Sequence, residues 1–269
     1  MKISATSALV LNWTDPHIWK TGKARNYFNE LDLSEGDELF EQFSERENYM
    51  HLQSVSNRKY FIRKKCVEFL SLYPQGQILF FAAGISPMSV EVAELFPESL
   101  IFDIDKYLMN EKKSFINNEI KNIKFLECDI TDLKILSDQL NSNDFSKVKK
   151  TLAVFEGITY YLRTPDLKNL FKFCKSIDAD ITGDFGLIPE LVESHNREFG
   201  VEVFDKIKTF VNLEYVNFYH PDEFKKIILD SGYTNFQRTK FNNIQQERTG
   251  SETPFIGNEP GWICMFTAN

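Results

Sequence analysis

Cysteine and histidine are scarce in this sequence, and neither clusters. Four cysteines and four histidines are spread over 269 residues, without a CxxC pair. A structural zinc site needs such residues at short spacings, so we predict no metal site. Isolated cysteines of this kind are expected to be buried free thiols of a reducing compartment. They are Cys66, Cys128, Cys174 and Cys264.

The sequence also lacks a long hydrophobic run and an excess of positive charge. No segment approaches the roughly 20 apolar residues of a membrane span, and Met1–Leu9 lacks the apolar core of a signal peptide. We therefore expect a cytoplasmic protein with no membrane partner. Lys and Arg number 31 against 39 Asp and Glu, a formal net charge of -8. This balance argues against nucleic-acid binding, which needs a basic face. The oligomeric state stays open.

Strand and helix patterns alternate through most of the chain. Apolar runs typical of buried strands recur about every 25 residues, with helix-like sequence between them, which predicts βαβ units and a parallel sheet. No linker interrupts this pattern, so we predict a single domain over residues 1–269 with an N-terminal extension over residues 1–57. The predicted parallel strands are Ile78–Phe81, Leu100–Asp105, Ile123–Leu126, Thr151–Phe155 and Ala179–Phe185.

The sequence also predicts two further strands and several helices. Two late strands, Asn235–Phe241 and Trp262–Phe266, are predicted to form an antiparallel pair at the sheet edge. Thr131 is a candidate cap for a helix that runs through Leu140. Other predicted helices are Ser4–Trp13, Arg58–Leu72, Pro189–Phe199 and Asp222–Asp230, the last opened by Pro221.

The turn after the first strand has the composition of a ligand-binding turn. In an open parallel sheet, ligands lie beyond the carboxyl ends of the strands. Ala82, Ala83 and Gly84 are small enough to let a ligand approach the backbone. The GxGxxG fingerprint is absent, and Pro87 removes an N–H group that a pyrophosphate would use. The turn therefore favours a nucleoside without phosphates. The alternative explanation of its small residues is a tight strand-to-helix turn that binds no ligand.

An acidic residue follows each of the next three strands. Asp103 and Asp105 are placed to accept the hydroxyls of a ribose. Asp129 is placed to accept from an adenine amine, and the Ile130 N–H group to donate to a ring nitrogen. Glu156-Gly157 supplies a carboxylate that needs a partner if buried, which a ligand with sulfonium and ammonium groups would provide. Each of the aspartates could instead cap a helix. Their joint occurrence favours an adenosyl ligand.

A specific family resemblance lies at residues 155–162, FEGITYYL. This segment resembles a signature of the leucine carboxyl methyltransferase family, which includes tetracenomycin-type polyketide O-methyltransferases. The signature consists of Glu-Gly, three further residues and Tyr-Leu, which correspond here to Glu156-Gly157 and Tyr161-Leu162. The other family landmarks occur in the same order along the chain. Residues 4–10 resemble the opening segment of the family, and Arg58 resembles the arginine that holds the methionine carboxylate. Phe81–Gly84 resembles the glycine turn, Asp103–Asp105 resembles the ribose motif, and Asp129-Ile130 resembles the adenine motif.

The resemblance implies a class I methyltransferase with S-adenosylmethionine as cofactor and S-adenosylhomocysteine as product. The implied fold is a three-layer, doubly wound, Rossmann-like α/β sheet of seven strands with an antiparallel last hairpin. A helical N-terminal cap (residues 1–57) and an inserted lid (residues 187–219) would cover the substrate pocket. The implied acceptor is a carboxylate or hydroxyl group of a small molecule or peptide. A hydroxyl would need a base, for which the candidates are Tyr160, Tyr161, His195 and Asp184.

The sequence departs from the family pattern near the methionine end of the site. Ala82 replaces the first glycine of the turn, Ser86 replaces its usual aspartate, and Arg63 stands where an aspartate normally follows Arg58. These departures support one alternative, a non-catalytic member that only binds the cofactor. A nicotinamide-dependent oxidoreductase, which would use the same half of the sheet, is the other alternative, and the missing phosphate glycines argue against it.

Overall fold

A seven-stranded sheet forms the centre of the computed structural model, which describes residues 5–116 and 120–269. Strands β1 to β5 are parallel, while β7 runs antiparallel to both β5 and β6. The spatial order is β3-β2-β1-β4-β5-β7-β6, so the predicted Rossmann-like sheet with an antiparallel last hairpin is confirmed. The strands are β1 (Gln77–Phe81), β2 (Leu100–Asp105), β3 (Ile123–Glu127), β4 (Thr151–Phe155), β5 (Ala179–Gly186), β6 (Phe236–Thr239) and β7 (Ile263–Ala268).

Helices cover this sheet and extend beyond it at the N-terminal side. Helix α4 (Glu45–Leu72) packs against both α5 (Met88–Leu95) and α11 (Phe241–Thr249), and α8 (Thr164–Ser176) packs against α10 (Pro221–Asp230). The helices are α1 (Ala5–Asn12), α2 (Gly22–Asn29), α3 (Asp37–Phe40), α4 (Glu45–Leu72), α5 (Met88–Leu95), α6 (Met109–Ile116), α7 (Leu133–Ser142), α8 (Thr164–Ser176), α9 (Ser194–Val211), α10 (Pro221–Asp230) and α11 (Phe241–Thr249). Ser4, in the predicted first helix, lies outside the described residues.

Several predicted boundaries are wrong, each for a local reason. Helix α4 begins at Glu45 rather than near Arg58, because Ser44 and Glu47 form a capping box there. Asp132, not Thr131, caps α7, since its carboxylate accepts the Ile135 N–H group at 3.1 Å. The segment predicted as one helix from Pro189 is a single 3-10 turn over Pro189–Leu191 followed by α9. Strand β6 ends at Thr239, and Phe241 begins α11.

The four cysteines are buried free thiols, as predicted. Burial raises the pKa of Cys128 to about 11, which keeps this thiol protonated at neutral pH. None of the helices in the described ranges is long and apolar enough to cross a membrane. In the same ranges, no three His, Cys, Asp or Glu side chains are grouped so as to hold a metal ion.

His51, in α4, is a buried histidine in aromatic surroundings. Its ring centroid lies 4.5 Å from that of Trp13 and 5.5 Å from that of Trp262. Within the described residues, its Nε2 atom has no hydrogen-bond partner. Burial lowers the pKa of His51 to about 3. The charge of Glu47 opposes this shift, and the charge of Lys206 adds to it. The imidazole is therefore neutral in the folded chain.

We predict that His51 destabilises the fold as the pH falls. An unfolded histidine takes up its proton near pH 6.5, whereas the folded one does so at about 3. Between these values the unfolded state binds more protons, so the free energy of unfolding should fall by about 1 kcal/mol per pH unit below about pH 6. Urea unfolding of the wild type and His51→Phe, from about pH 7.5 to about pH 5, isolates this contribution. A difference between the two proteins that stays constant with pH would contradict it.

Candidate active site

A cavity of about 670 Å³ opens at the carboxyl ends of β1 and β4. It is lined by the turn after β1 (residues 82–86) and by the segment that follows β4 (residues 156–158). Val10 of α1 and Ile207 of α9 contribute apolar wall. The volume falls in the range of about 300–1,000 Å³ that holds small molecules and cofactors. Its position is the one at which open α/β sheets bind their ligands.

The turn after β1 adopts left-handed backbone at two positions. Ala82 has a φ of 51° and Gly84 a φ of 52°, so Ala82 occupies a conformation that favours glycine, at a cost of about 1 kcal/mol or more. A Cβ atom added at Gly84 would meet only the Ser7 Oγ atom within 4 Å, at 3.8 Å. This face of the turn is therefore open to a ligand. The Gly84 N–H group donates to Asp105 Oδ2 at 2.8 Å, which ties the turn to the end of β2.

A fully buried ion pair supports the same turn. Lys112 Nζ lies 2.6 Å from Asp103 Oδ2, and both side chains are inaccessible to solvent. The same ammonium donates to the carbonyl oxygens of Gly84 at 3.1 Å and Ser86 at 2.8 Å, while the Ser89 hydroxyl donates to the Asp103 carboxylate. Burial raises the pKa of Asp103, and the charge of Lys112 opposes that rise. Asp103 is fully buried and is not among the residues that line the cavity.

The acids at the ends of β2 and β3 adjoin the cavity without lining it. Asp105 accepts from the N–H groups of Gly84 and Tyr107, the latter at 3.2 Å. Asp129 accepts the Thr131 hydroxyl at 2.7 Å, which together with Lys106 lowers the pKa of Asp129. Lys106 Nζ lies 3.2 Å from Asp129 Oδ2. The residues of this edge that do line the cavity are Lys106 and Tyr107, and Ile130 is not among the lining residues.

Glu156 is neutralised by two cations of the chain itself. Its Oε1 atom accepts from Arg58 Nε at 3.3 Å and from Lys59 Nζ at 2.8 Å. Arg58 is 7% exposed and Lys59 1% exposed, and all three residues line the cavity. Burial alone would raise the pKa of Glu156, but the charges of Lys59 and Arg58 outweigh it and hold the pKa below its usual range. The partner that the sequence analysis expected from a ligand is thus already present.

Sequence analysis missed Lys59. The available signal was two consecutive cations, Arg58 and Lys59, on a helix whose other face is apolar. The contact with Glu156 spans 97 positions of sequence, which a local pattern does not reveal.

Tyr160 and Tyr161 line the cavity beside Arg58, whose Nη1 atom donates to the Tyr160 hydroxyl at 3.2 Å. Burial raises the pKa of both tyrosines above the ordinary value. Gly157, with a φ of 70°, donates its N–H group to Asp184 Oδ1 at 2.7 Å. Burial raises the pKa of Asp184 to about 6, although the nearby charge of Arg58 acts to lower this pKa. Asp184 supports the turn after β4 and is not among the lining residues.

His195 lies apart from these tyrosines. It is exposed in the first turn of α9 and does not line the cavity. From residues 187–219, the predicted lid, Ile207 and Leu213 line the cavity instead. Of the predicted site residues, the structure brings together at the cavity Arg58, Ala82, Ala83, Gly84, Glu156, Gly157, Tyr160 and Tyr161.

Comparison with solved structures shows a shared fold at low sequence identity. A DUF574 family protein from Streptomyces avermitilis is 12% identical with a TM-score of 0.69, over 99% of this chain and 97% of that chain. A protein from Thermobifida fusca YX designated a methyltransferase is 13% identical with a TM-score of 0.63, over 100% of this chain and 95% of that chain. Magnesium protoporphyrin IX methyltransferase from Synechocystis PCC 6803, solved with bound SAH, is 11% identical with a TM-score of 0.50, over 91% of this chain and 97% of that chain.

Family comparison is more specific than these structural similarities. A search of the curated proteins finds no match to this sequence. A model of the leucine carboxyl methyltransferase family, however, matches residues 18–175, more than half of the chain. The matched range includes Arg58, the turn after β1 and the motif from Glu156 to Leu162. The chain therefore belongs to the leucine carboxyl methyltransferase family.

Proposed function

We propose that this family member is an O-methyltransferase that methylates a carboxylate or hydroxyl group of a small molecule or peptide. Family membership makes it an S-adenosylmethionine-dependent methyltransferase, and the acceptor is the proposed part. The observation that carries the proposal is the cavity itself, where Arg58 and Glu156 adjoin the open turn at Gly84 and apolar walls from α1 and α9. We further propose that residues 1–57 act as a cap and residues 187–219 as a lid within one methyltransferase domain.

The residues at the cavity fit S-adenosylmethionine. The open face of Gly84 leaves room for the nucleoside against the turn. Arg58 Nη2 donates to no group in the described residues, which leaves it available for the carboxylate of the methionine end. Glu156 is the carboxylate beside which the ammonium group would lie, with Arg58 and Lys59 already bonded to its Oε1 atom. Within residues 5–116 and 120–269, each Asp105 side-chain oxygen accepts a single hydrogen bond, which leaves a lone pair for a ribose hydroxyl.

The charges at the cavity favour a carboxylate acceptor over a hydroxyl. When bound, the cofactor supplies an already activated methyl group, so the protein acts mainly by orientation and by excluding water. A carboxylate is ionised at neutral pH and needs no base, whereas a hydroxyl must lose a proton. Among the described lining residues, Tyr160 and Tyr161 hold their protons too tightly and Glu156 is engaged by two cations. A hydroxyl acceptor would therefore find no ready base among these three side chains, which favours a carboxylate.

Thermal shift measurements test the cofactor assignment against the nicotinamide alternative. At about 100 times the dissociation constant, a ligand stabilises the fold by about 2.7 kcal/mol, so S-adenosylhomocysteine should raise the melting temperature by several degrees. NAD should not. Stabilisation by NAD alone would favour the oxidoreductase.

The acceptor is tested with S-adenosylmethionine labelled in the methyl group and fractionated cell extracts. Methyl esters release labelled methanol in alkali, whereas methyl ethers retain the label. We expect alkali-labile product. Tight cofactor binding without methylated product from any extract would instead support the non-catalytic alternative.

A further inference from the structure

Lys59 is a buried lysine at the cavity whose contacts are all within the protein. Its ammonium donates to Glu156 Oε1 at 2.8 Å and to Ser86 Oγ at 3.3 Å, and it lies 5.5 Å from the centroid of the Trp19 ring. An ammonium has three donors, and Glu156 and Ser86 engage two of them. With its side chain 2% exposed, Lys59 has little capacity to hydrogen-bond a ligand directly. Its influence on a ligand therefore acts through the charge of Glu156.

Glu156 is the one carboxylate among the described residues that line the cavity. Gly84 and Ser86 also line the cavity, and their carbonyl oxygens already accept from Lys112. A ligand that carries an ammonium group therefore depends on Glu156 for its anionic partner. Glu156 Oε2, which accepts from no group in the described residues, is the free position.

We propose that Lys59 sets ligand specificity by neutralising Glu156, so that the α-ammonium group of an adenosyl ligand adds little to binding. The inference rests on the proposed function. A cation at Oε2 would join Lys59 and Arg58 around a single carboxylate, and the repulsion from two existing cations offsets its attraction to Glu156. The site then recognises the adenosyl group and the carboxylate of its ligand, and tolerates adenosyl thioethers that lack the amino group.

Calorimetry with two ligands isolates the ammonium group. S-adenosylhomocysteine and its analogue without the amino group differ in that group alone. For the wild type we expect dissociation constants within about threefold of each other. Lys59→Met exposes Glu156 to the ligand, so S-adenosylhomocysteine should bind about tenfold tighter while the analogue stays unchanged, as expected for a charge-assisted contact. Lys59→Arg, which keeps the cation, should behave as the wild type.

A pH series adds a readout that a merely structural role would not move. Without Lys59 the pKa of Glu156 rises, because burial is opposed by Arg58 alone. The affinity of Lys59→Met for S-adenosylhomocysteine should therefore weaken toward acid pH, whereas that of the wild type stays flat.

Distinct results overturn the inference and the proposed function. Equal weakening of both ligands in Lys59→Met, or a wild type that prefers S-adenosylhomocysteine by more than about tenfold, overturns the role of Lys59 while the proposed function stands. If Lys59→Met does not fold, the affinities of the wild type for the two ligands still test the role of Lys59. If neither adenosyl ligand binds the wild type, the proposed function fails and this inference fails with it.

Discussion

Replacement of Lys112 by methionine should destabilise the fold by about 3–5 kcal/mol, the range seen when one partner of a buried ion pair is removed. Lys112 and Asp103 are both inaccessible to solvent and lie 2.6 Å apart. The substitution keeps most of the side-chain volume, so the loss reports the charge and its hydrogen bonds. Chemical denaturation near neutral pH measures it, and a loss below about 1 kcal/mol would contradict the prediction.

The matched control for this substitution removes the stranded carboxylate as well. In Lys112→Met with Asp103→Asn, no unpaired charge remains, so most of the lost stability should return. The single variant has a pH signature too. Its unpaired Asp103 has a raised pKa in the folded state, and such an acid favours folding at low pH and disfavours it as the pH rises. The destabilisation should therefore be smaller near pH 5 than near pH 8, while in the double variant it should not change over this range.

The ion pair also has a consequence for the cavity. Lys112 holds the carbonyl groups of Gly84 and Ser86, while Asp105 holds the Gly84 N–H group from the side of β2. The N–H group of Gly84 and the carbonyl groups of Gly84 and Ser86 are thus bonded within the protein, and the open face of Gly84 is set before a ligand arrives. A turn held in this way suits a nucleoside, which packs against backbone, better than a pyrophosphate, which needs free N–H groups.

The strands of the sheet could be predicted because their residues are buried on both faces. Ile78–Phe81 and Thr151–Phe155 are continuous apolar runs, and the structure confirms them to within one residue. Helix α4 was only half predicted, because the periodicity is clear from Arg58 onward, whereas the start at Glu45 depends on a local capping box. Helix α11 was missed: Phe241 looked like the end of a strand.

The different environments of the acidic residues at the end of β2 could not be predicted from the sequence. Asp103 and Asp105 belong to one motif, and both project to the same side of β2 because side chains alternate along a strand. The register pairs Asp103 with Phe80, one position inside the sheet edge, and Asp105 lies beyond Phe81. Asp103 is therefore covered and pairs with Lys112, while Asp105 reaches the turn. That difference depends on sheet register and on α6, which the motif does not encode.

Replacement of Arg58 by methionine should weaken S-adenosylhomocysteine binding by about 10- to 150-fold, the effect of losing a charge-assisted contact of about 1.5–3 kcal/mol. Arg58 commits Nε to Glu156 and Nη1 to the Tyr160 hydroxyl, and it lines the cavity with a third nitrogen, Nη2, that donates to no group in the part of the chain that the structure describes. This arrangement orients a planar cation toward a carboxylate ligand, which an arginine can bind with two parallel donors. Calorimetry near neutral pH gives the change in affinity.

5′-Methylthioadenosine, which has the nucleoside and sulfur but no amino-acid end, is the matched control ligand for Arg58→Met. Its affinity should stay within about twofold of the wild-type value, because Arg58 is assigned to the carboxylate alone. Arg58→Lys should recover only part of the lost affinity, since a lysine keeps the charge but lacks the planar fork and leaves the Tyr160 hydroxyl without its donor. Equal losses for both ligands would show that Arg58 shapes the cavity rather than binding the carboxylate, and would contradict the assignment.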